Sequence, residues 1–158
     1  MFRVMPLIVA LAFPLPAYAW PGTVLDVHDG DTMTVAPMGD VRTPLKIRLY
    51  GIDAPELEQK GGPQSREHLR SLVQPGQGVE VIKMSTDKYG RTVALVATDR
   101  VLNADMLEAG QAWAYPAFCN APFCNGWKKL ERDAKEARRG LWSQKNPTPP
   151  WKWRQKQK

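Results

Sequence analysis

The sequence predicts a five-stranded Greek-key β-barrel of the OB type, a mixed architecture with about three helices. Three observations point to it. Five short β-leaning runs come first, a helical stretch interrupts them after the third, and further helical stretches follow the fifth. An open sheet with helices on one side fits the same string of elements.

Thr23 to Val27 and Thr32 to Ala36 are joined by a turn at Asp29-Gly30 and read as a hairpin. Leu45 to Tyr50 alternates strictly, with Leu45, Ile47 and Leu49 on one face and Lys46, Arg48 and Tyr50 on the other. Arg48 therefore stands off the core side of its strand. Gly51 follows, and Pro55 fixes a turn that holds Asp53 and Glu56. After a polar loop from Leu57 to Gly62, Pro63 suits the first turn of a helix. Its apolar stripe is Leu69, Leu72 and Val73, and Pro75-Gly76 stops it. Val79 to Met84 and Thr92 to Thr98 are the last two strands, linked through Asp87 to Arg91. Val101 to Ala109 reads as a helix stopped by Gly110. Trp127 to Arg139 reads as an amphipathic helix with Leu130, Ala134 and Ala137 inward, ended by Gly140.

Met1 to Ala19 has the build of a secretory leader: Arg3, an apolar run from Leu7 to Phe13, and Ala17-Tyr18-Ala19 as a cleavage signal. The apolar run falls short of the roughly 20 residues that span a bilayer, and Pro14 and Pro16 break a helix there. The expectation is export to the periplasm or the medium, a mature chain beginning at Trp20, and no stable membrane association. Residues 20–143 then make one domain with one core, expected to be a monomer. The formal net charge of +6 belongs to the ends of the chain. Arg3 leaves with the leader, and Lys145, Lys152, Arg154, Lys156 and Lys158 lie in an acid-free tail. Acids and bases balance between Trp20 and Ser143. The basic pI is thus no evidence that the body is a general nucleic-acid binder. The tail, residues 144–158, shows no periodic pattern and is expected to be disordered. Its lysines, with Trp151 and Trp153, suit non-specific nucleic-acid contact and equally a solvated terminus.

Cys119 and Cys124 are the only cysteines. In an exported chain, so close a pair reads as a disulfide. Zinc would need two more ligands, and only His28 and His68 are available, both far off in sequence. Closing so small a loop is worth about 2 kcal/mol on chain-entropy grounds.

Chemistry concentrates in a few charged positions. Asp31 and Asp53 are oxygen donors of the kind that hold a hard cation such as calcium, with the carbonyl of Ala54 as a third. An EF-hand is excluded, because its third and fifth ligand positions would fall on His28 and Gly30. Arg48 and Arg91 can each present a planar fork to phosphate oxygens. Glu56 can orient or deprotonate a water. Lys88 and Tyr89 suit contact with a neighbouring phosphate, and Tyr115 can stack on a base. Singly, each has an ordinary alternative as a turn residue or a salt-bridge partner.

Together these motifs resemble the thermonuclease, or staphylococcal nuclease-like, family across about residues 20–143. The matching elements are Asp29-Gly30-Asp31-Thr32, Arg48 ahead of Asp53-Ala54-Pro55-Glu56, and Asp87-Lys88-Tyr89-Gly90-Arg91. Leu102-Asn103 with Gly110, and Arg139-Gly140-Leu141-Trp142, match as well. The resemblance implies an OB-fold barrel and calcium-dependent cleavage of DNA or RNA by in-line attack of an activated water, leaving 3′-phosphate ends. By position it makes Asp31, Asp53 and Ala54 metal ligands, Arg48 and Arg91 phosphate clamps and Glu56 the general base. Lys88, Tyr89 and Tyr115 become substrate contacts. The loop from Leu57 to Gly62 is short, and Pro116 to Phe123 lies outside the pattern. A non-catalytic nucleic-acid-binding barrel is the alternative from another class; an adaptor that borrowed the barrel is a third. The presence of all five charges, Asp31, Arg48, Asp53, Glu56 and Arg91, favours catalysis.

Overall fold

The structure is a computed structural model and describes residues 18–157. The leader expected over Met1 to Ala19 lies, but for its last two residues, outside that range. Ala19 itself begins the first strand and pairs with Ile82.

Alternating apolar side chains build the strands β1 (Ala19–Val27), β2 (Thr32–Pro37), β3 (Leu45–Leu49), β5 (Gly78–Thr86) and β6 (Thr92–Ala97). They close into a barrel in the order β1-β2-β3-β6-β5, with β5 returning to β1. Every pairing in it is antiparallel except β3 with β6, which run parallel. A parallel pair needs a crossover, and the chain between β3 and β6 supplies it. The barrel is thus five-stranded, as the sequence predicts, and its one parallel pair is a feature the sequence reading does not specify. Thr92, Ala94 and Val96 of β6 are buried while Val93 and Leu95 between them are half-buried, the expected period of two.

The helices α1 (Gly62–Leu72), α2 (Leu102–Glu108) and α3 (Cys124–Glu136) cover one side of the barrel. Leu69, Leu102, Met106, Leu107 and Trp127 from these helices join Val24, Val27, Met33, Ile47, Leu49, Val81 and Val96 of the barrel in one continuous core. Pro63 starts α1, where its missing N–H costs nothing. Gly110 ends α2 at φ 68°, and the chain at Arg139 packs against it too closely for a side chain.

Four features differ from the sequence reading, the first being Ala137, expected inward but exposed just past the end of α3 at Glu136, where the chain leaves the helix. A two-stranded sheet pairs β4 (Ile52–Asp53) with β7 (Trp113–Ala114). Helix α3 begins at Cys124, one turn before Trp127. The tail expected to be disordered forms a helix, α4 (Pro150–Lys156). Pro150 in the first turn supplies a local start, but the helix is held by Trp151 and Arg154, one turn apart, whose shared face packs on Tyr115, Asp53 and Glu56.

Cys119 and Cys124 form a disulfide with their Cα atoms 5.7 Å apart. It ties the start of α3 to the loop after β7. Gly51, at φ 72°, lets that loop approach: a Cβ there would lie 2.7 Å from Cys119 Sγ and 2.8 Å from the Trp127 ring.

Candidate active site

The site lies where the end of β3, the turn before β2 and the β4–β7 pair meet. Asp31 is carried by the β1–β2 turn, in which the Asp31 N–H donates to Asp29 Oδ1 at 2.9 Å. That turn needs Gly30, since a Cβ there would overlap Ser65 of α1 and lie 2.7 Å from Ala54 Cβ. The close approach brings Asp31 Oδ2 to the Ala54 N–H at 2.6 Å. Asp53, completely buried, is fixed by the pairing of β4 with β7, opposite Trp113.

Arg48 joins the two acids. Its Nη2 donates to Asp53 Oδ1 at 2.8 Å. Its Nη1 stands 2.6 Å from Asp31 Oδ2, a charge contact without hydrogen-bond alignment, so this buried nitrogen keeps an unused donor. Asp31 and Asp53, 22 residues apart, thus converge on one guanidinium. Register explains it, because Arg48 lies opposite Thr32, the residue after Asp31.

Burial pushes the Asp53 carboxyl up; the Arg154 hydrogen bond opposes this and the Asp31 charge adds to it. Asp29 is pushed up to about 7, first by burial and then by the Asp31 charge. The carboxylates of Asp29, Asp31 and Asp53 crowd one another, and a bound cation would offset their repulsion. Among the described residues no group of three or more His, Cys, Asp or Glu is arranged to hold a metal. The donors that fit a hard cation are the two carboxylates of Asp31 and Asp53, with backbone oxygen such as that of Ala54.

The Asp29 shift has a measurable consequence. A carboxyl whose pKa is higher in the folded than in the unfolded chain lends stability below its unfolded value, and that stability is lost as pH rises through its folded value. For Asp29 the window runs from 3.8 to about 7. Asp29→Asn keeps the Oδ1 acceptor for the Asp31 N–H. It is expected to melt with the wild type near pH 4 and above it at roughly pH 8 in chelator. Equal melting temperatures at both values would refute the raised Asp29 carboxyl.

The remaining predicted residues are placed as follows. Glu56 sits in a tight loop in which its carbonyl accepts from Gln59 N at 2.9 Å, and a side chain at Gly62 would collide with that carbonyl. Its carboxylate is taken by Arg154 of α4, Nη1 to Oε1 at 2.8 Å. Arg91 pairs through Nε with Asp87 Oδ2 at 2.6 Å. No hydrogen bond or ion pair among the described residues joins it to Asp31, Arg48 or Asp53. It precedes the first residue of β6, and Val93, two positions on, lies opposite Arg48. Lys88 and Tyr89 form the exposed tip of the β5–β6 hairpin, with Lys88 Nζ 5.0 Å from the centre of the Tyr89 ring. The Tyr115 ring is stacked face to face with Trp151 of α4, 5.2 Å between centres and 3° between planes.

Two residues that the sequence reading names only as a motif element (Asn103) and a tail charge (Arg154) take up contacts it does not foresee. Arg154 reaches Asp53 as well as Glu56, with Nη2 2.8 Å from Asp53 Oδ2. Asn103, fully buried, accepts from Val96 N at 3.1 Å and donates to the carbonyls of Tyr50 and Ala94 at 3.0 and 3.1 Å. It locks the chain just after Arg48 to β6 and α2.

Residues 46–144 match the model of the staphylococcal nuclease homologue family. The chain belongs to that family. An endonuclease of Escherichia coli, otherwise uncharacterized, is 37% identical over 146 residues, covering 87% of this chain and 91% of that protein. A micrococcal nuclease of Shigella flexneri is 35% identical over 161 residues, covering 95% and 90%. A probable staphylococcal-like nuclease of Oryza sativa subsp. japonica is 38% identical over 114 residues, 72% of this chain and 29% of that longer protein. The staphylococcal nuclease match takes in Arg48, Asp53, Glu56, Arg91 and Tyr115; Asp31 and the residues of α4 lie outside it.

Proposed function

We propose that this member of the staphylococcal nuclease family is an exported, calcium-dependent nuclease acting on DNA and RNA. Family membership and the nuclease names of its relatives support phosphodiester hydrolysis with a metal; the identity of the metal, the residue roles and the location are our reading. One observation carries it: Asp31 and Asp53 converge, buried, on the fork of Arg48.

Calcium bound to Asp31, Asp53 and the Ala54 carbonyl would supply positive charge beside the scissile phosphate. The chain's own groups do the rest. Arg48 has a buried donor without an aligned partner, suited to a non-bridging phosphate oxygen whose charge grows in the transition state. Arg91, held through Nε, presents its terminal nitrogens as the second clamp. Glu56 takes the proton of the attacking water. The new bond joins that water oxygen to phosphorus and the P–O5′ bond breaks, the departing O5′ taking a proton from solvent water, which leaves a 3′-phosphate and a 5′-hydroxyl. Lys88 and Tyr89 at the hairpin tip meet the adjoining backbone, and Tyr115 offers a face to a base.

The deciding assay uses protein expressed from the full sequence and purified from the cell envelope and the medium. Plasmid DNA and a folded RNA are incubated with calcium or with chelator. Cleavage only in calcium, 3′-phosphate ends and an N-terminus at Trp20 are expected. Cleavage that persists in chelator, or 5′-phosphate ends, would overturn the mechanism; an intact leader would overturn the export.

A further inference from the structure

Helix α4 is fastened to the site at four points. Arg154 grips Asp53 through two contacts, Nη2 to Oδ2 at 2.8 Å and Nη1 to Oδ1 at 3.2 Å, and it reaches Glu56 Oε1 at 2.8 Å. Trp151 lies flat on Tyr115. Upstream, Gln59 Nε2 donates to the Thr148 carbonyl at 2.6 Å. Pro150, at the start of the helix, is buried.

Two of these residues, Arg154 and Trp151, take groups with a role in the proposed reaction. The Arg154 guanidinium is a cation held by Asp53 and Glu56, the carboxylates assigned to metal binding and to water. The Trp151 indole is an aromatic plane on Tyr115, the residue assigned to a base. A guanidinium and a divalent ion cannot both use the same carboxylate oxygens of Asp53, and two aromatic planes cannot share one face of a tyrosine. We propose that α4 is an intramolecular mimic of metal and nucleobase: Arg154 and Trp151 cap the site, and calcium and a nucleic-acid strand displace the helix together. The inference rests on the nuclease reading above and adds its regulation. Linkage sets the consequence. The affinity of either ligand is lowered by the fraction of molecules already uncapped, and each ligand, by releasing the helix, assists the other.

Calcium binding by calorimetry separates the two readings without relying on turnover. Wild type, Arg154→Gln and Trp151→Ala are compared as full chains, with melting curves to establish folding. Arg154→Gln removes the competing charge and is expected to tighten calcium by about tenfold or more, the inverse of the uncapped fraction. Trp151→Ala is expected to tighten both calcium and a short oligothymidylate, the latter followed by fluorescence anisotropy. Hydrogen exchange over residues 150–156 should rise when calcium and the oligonucleotide are added to wild type.

Unchanged or weaker calcium binding in Arg154→Gln overturns the cap, as does a lack of calcium binding in every form. If wild type cleaves plasmid in calcium while Arg154→Gln binds the ion no more tightly, the nuclease stands and the cap falls. If the variants bind calcium more tightly and nothing cleaves, the cap stands and the reaction mechanism falls.

Discussion

Arg48→Lys is expected to lower kcat on plasmid DNA by about 10²–10³-fold at saturating calcium, the usual loss when one preorganised transition-state donor is removed. The two terminal nitrogens of Arg48 reach different acids, Nη1 toward Asp31 and Nη2 toward Asp53. A lysine ammonium is a point charge on a flexible stem and cannot reproduce that planar span or the paired donors a phosphate receives from it. It preserves the net charge, so the fold should survive: the melting temperature should stay within a few degrees of wild type while turnover collapses. Near-normal turnover would show that the fork is dispensable and would remove the central group of the proposed mechanism.

Asn103→Leu should cost about 3 kcal/mol or more of unfolding free energy, with no direct contact to the reacting groups. The substitution keeps the volume but strips three hydrogen bonds from a fully buried site. The Val96 N–H and the carbonyls of Tyr50 and Ala94 lose a partner, and each buried polar group left unsatisfied costs on the order of 1–3 kcal/mol. Urea unfolding monitored by tryptophan fluorescence measures the effect, with an unchanged m-value showing that only stability moved. A loss below about 1 kcal/mol would mean that these groups find other partners.

The barrel is legible in the sequence because a strand buried on one face alternates in period two, and Leu45 to Tyr50 does so without a break. The same alternation puts Arg48 outward, which is where it meets Asp31 and Asp53. The β4–β7 pair is not legible, since Ile52–Asp53 and Trp113–Ala114 are too short to show any period and pair across the intervening helices. The tail misleads for another reason. Pro149-Pro150 followed by Trp151 and Arg154 carries a helix start and one pair at i, i+3, but a seven-residue helix offers too few turns for an apolar stripe. What stabilises it is the surface beneath, formed by Asp53, Glu56 and Tyr115, and that surface exists only once the barrel has closed. Arg91 is legible as a motif residue, while its Asp87 partner on the same hairpin takes a separate decision about geometry that spacing alone leaves open. Asn103 could have been found by its type: an amide on the apolar side of a helix must satisfy its donors and acceptor inside the protein.

Because the backbone of Asp53 pairs with that of Trp113, a ribosome must emit most of this polypeptide before the carboxylate that the proposed mechanism gives to the metal is seated in its final place.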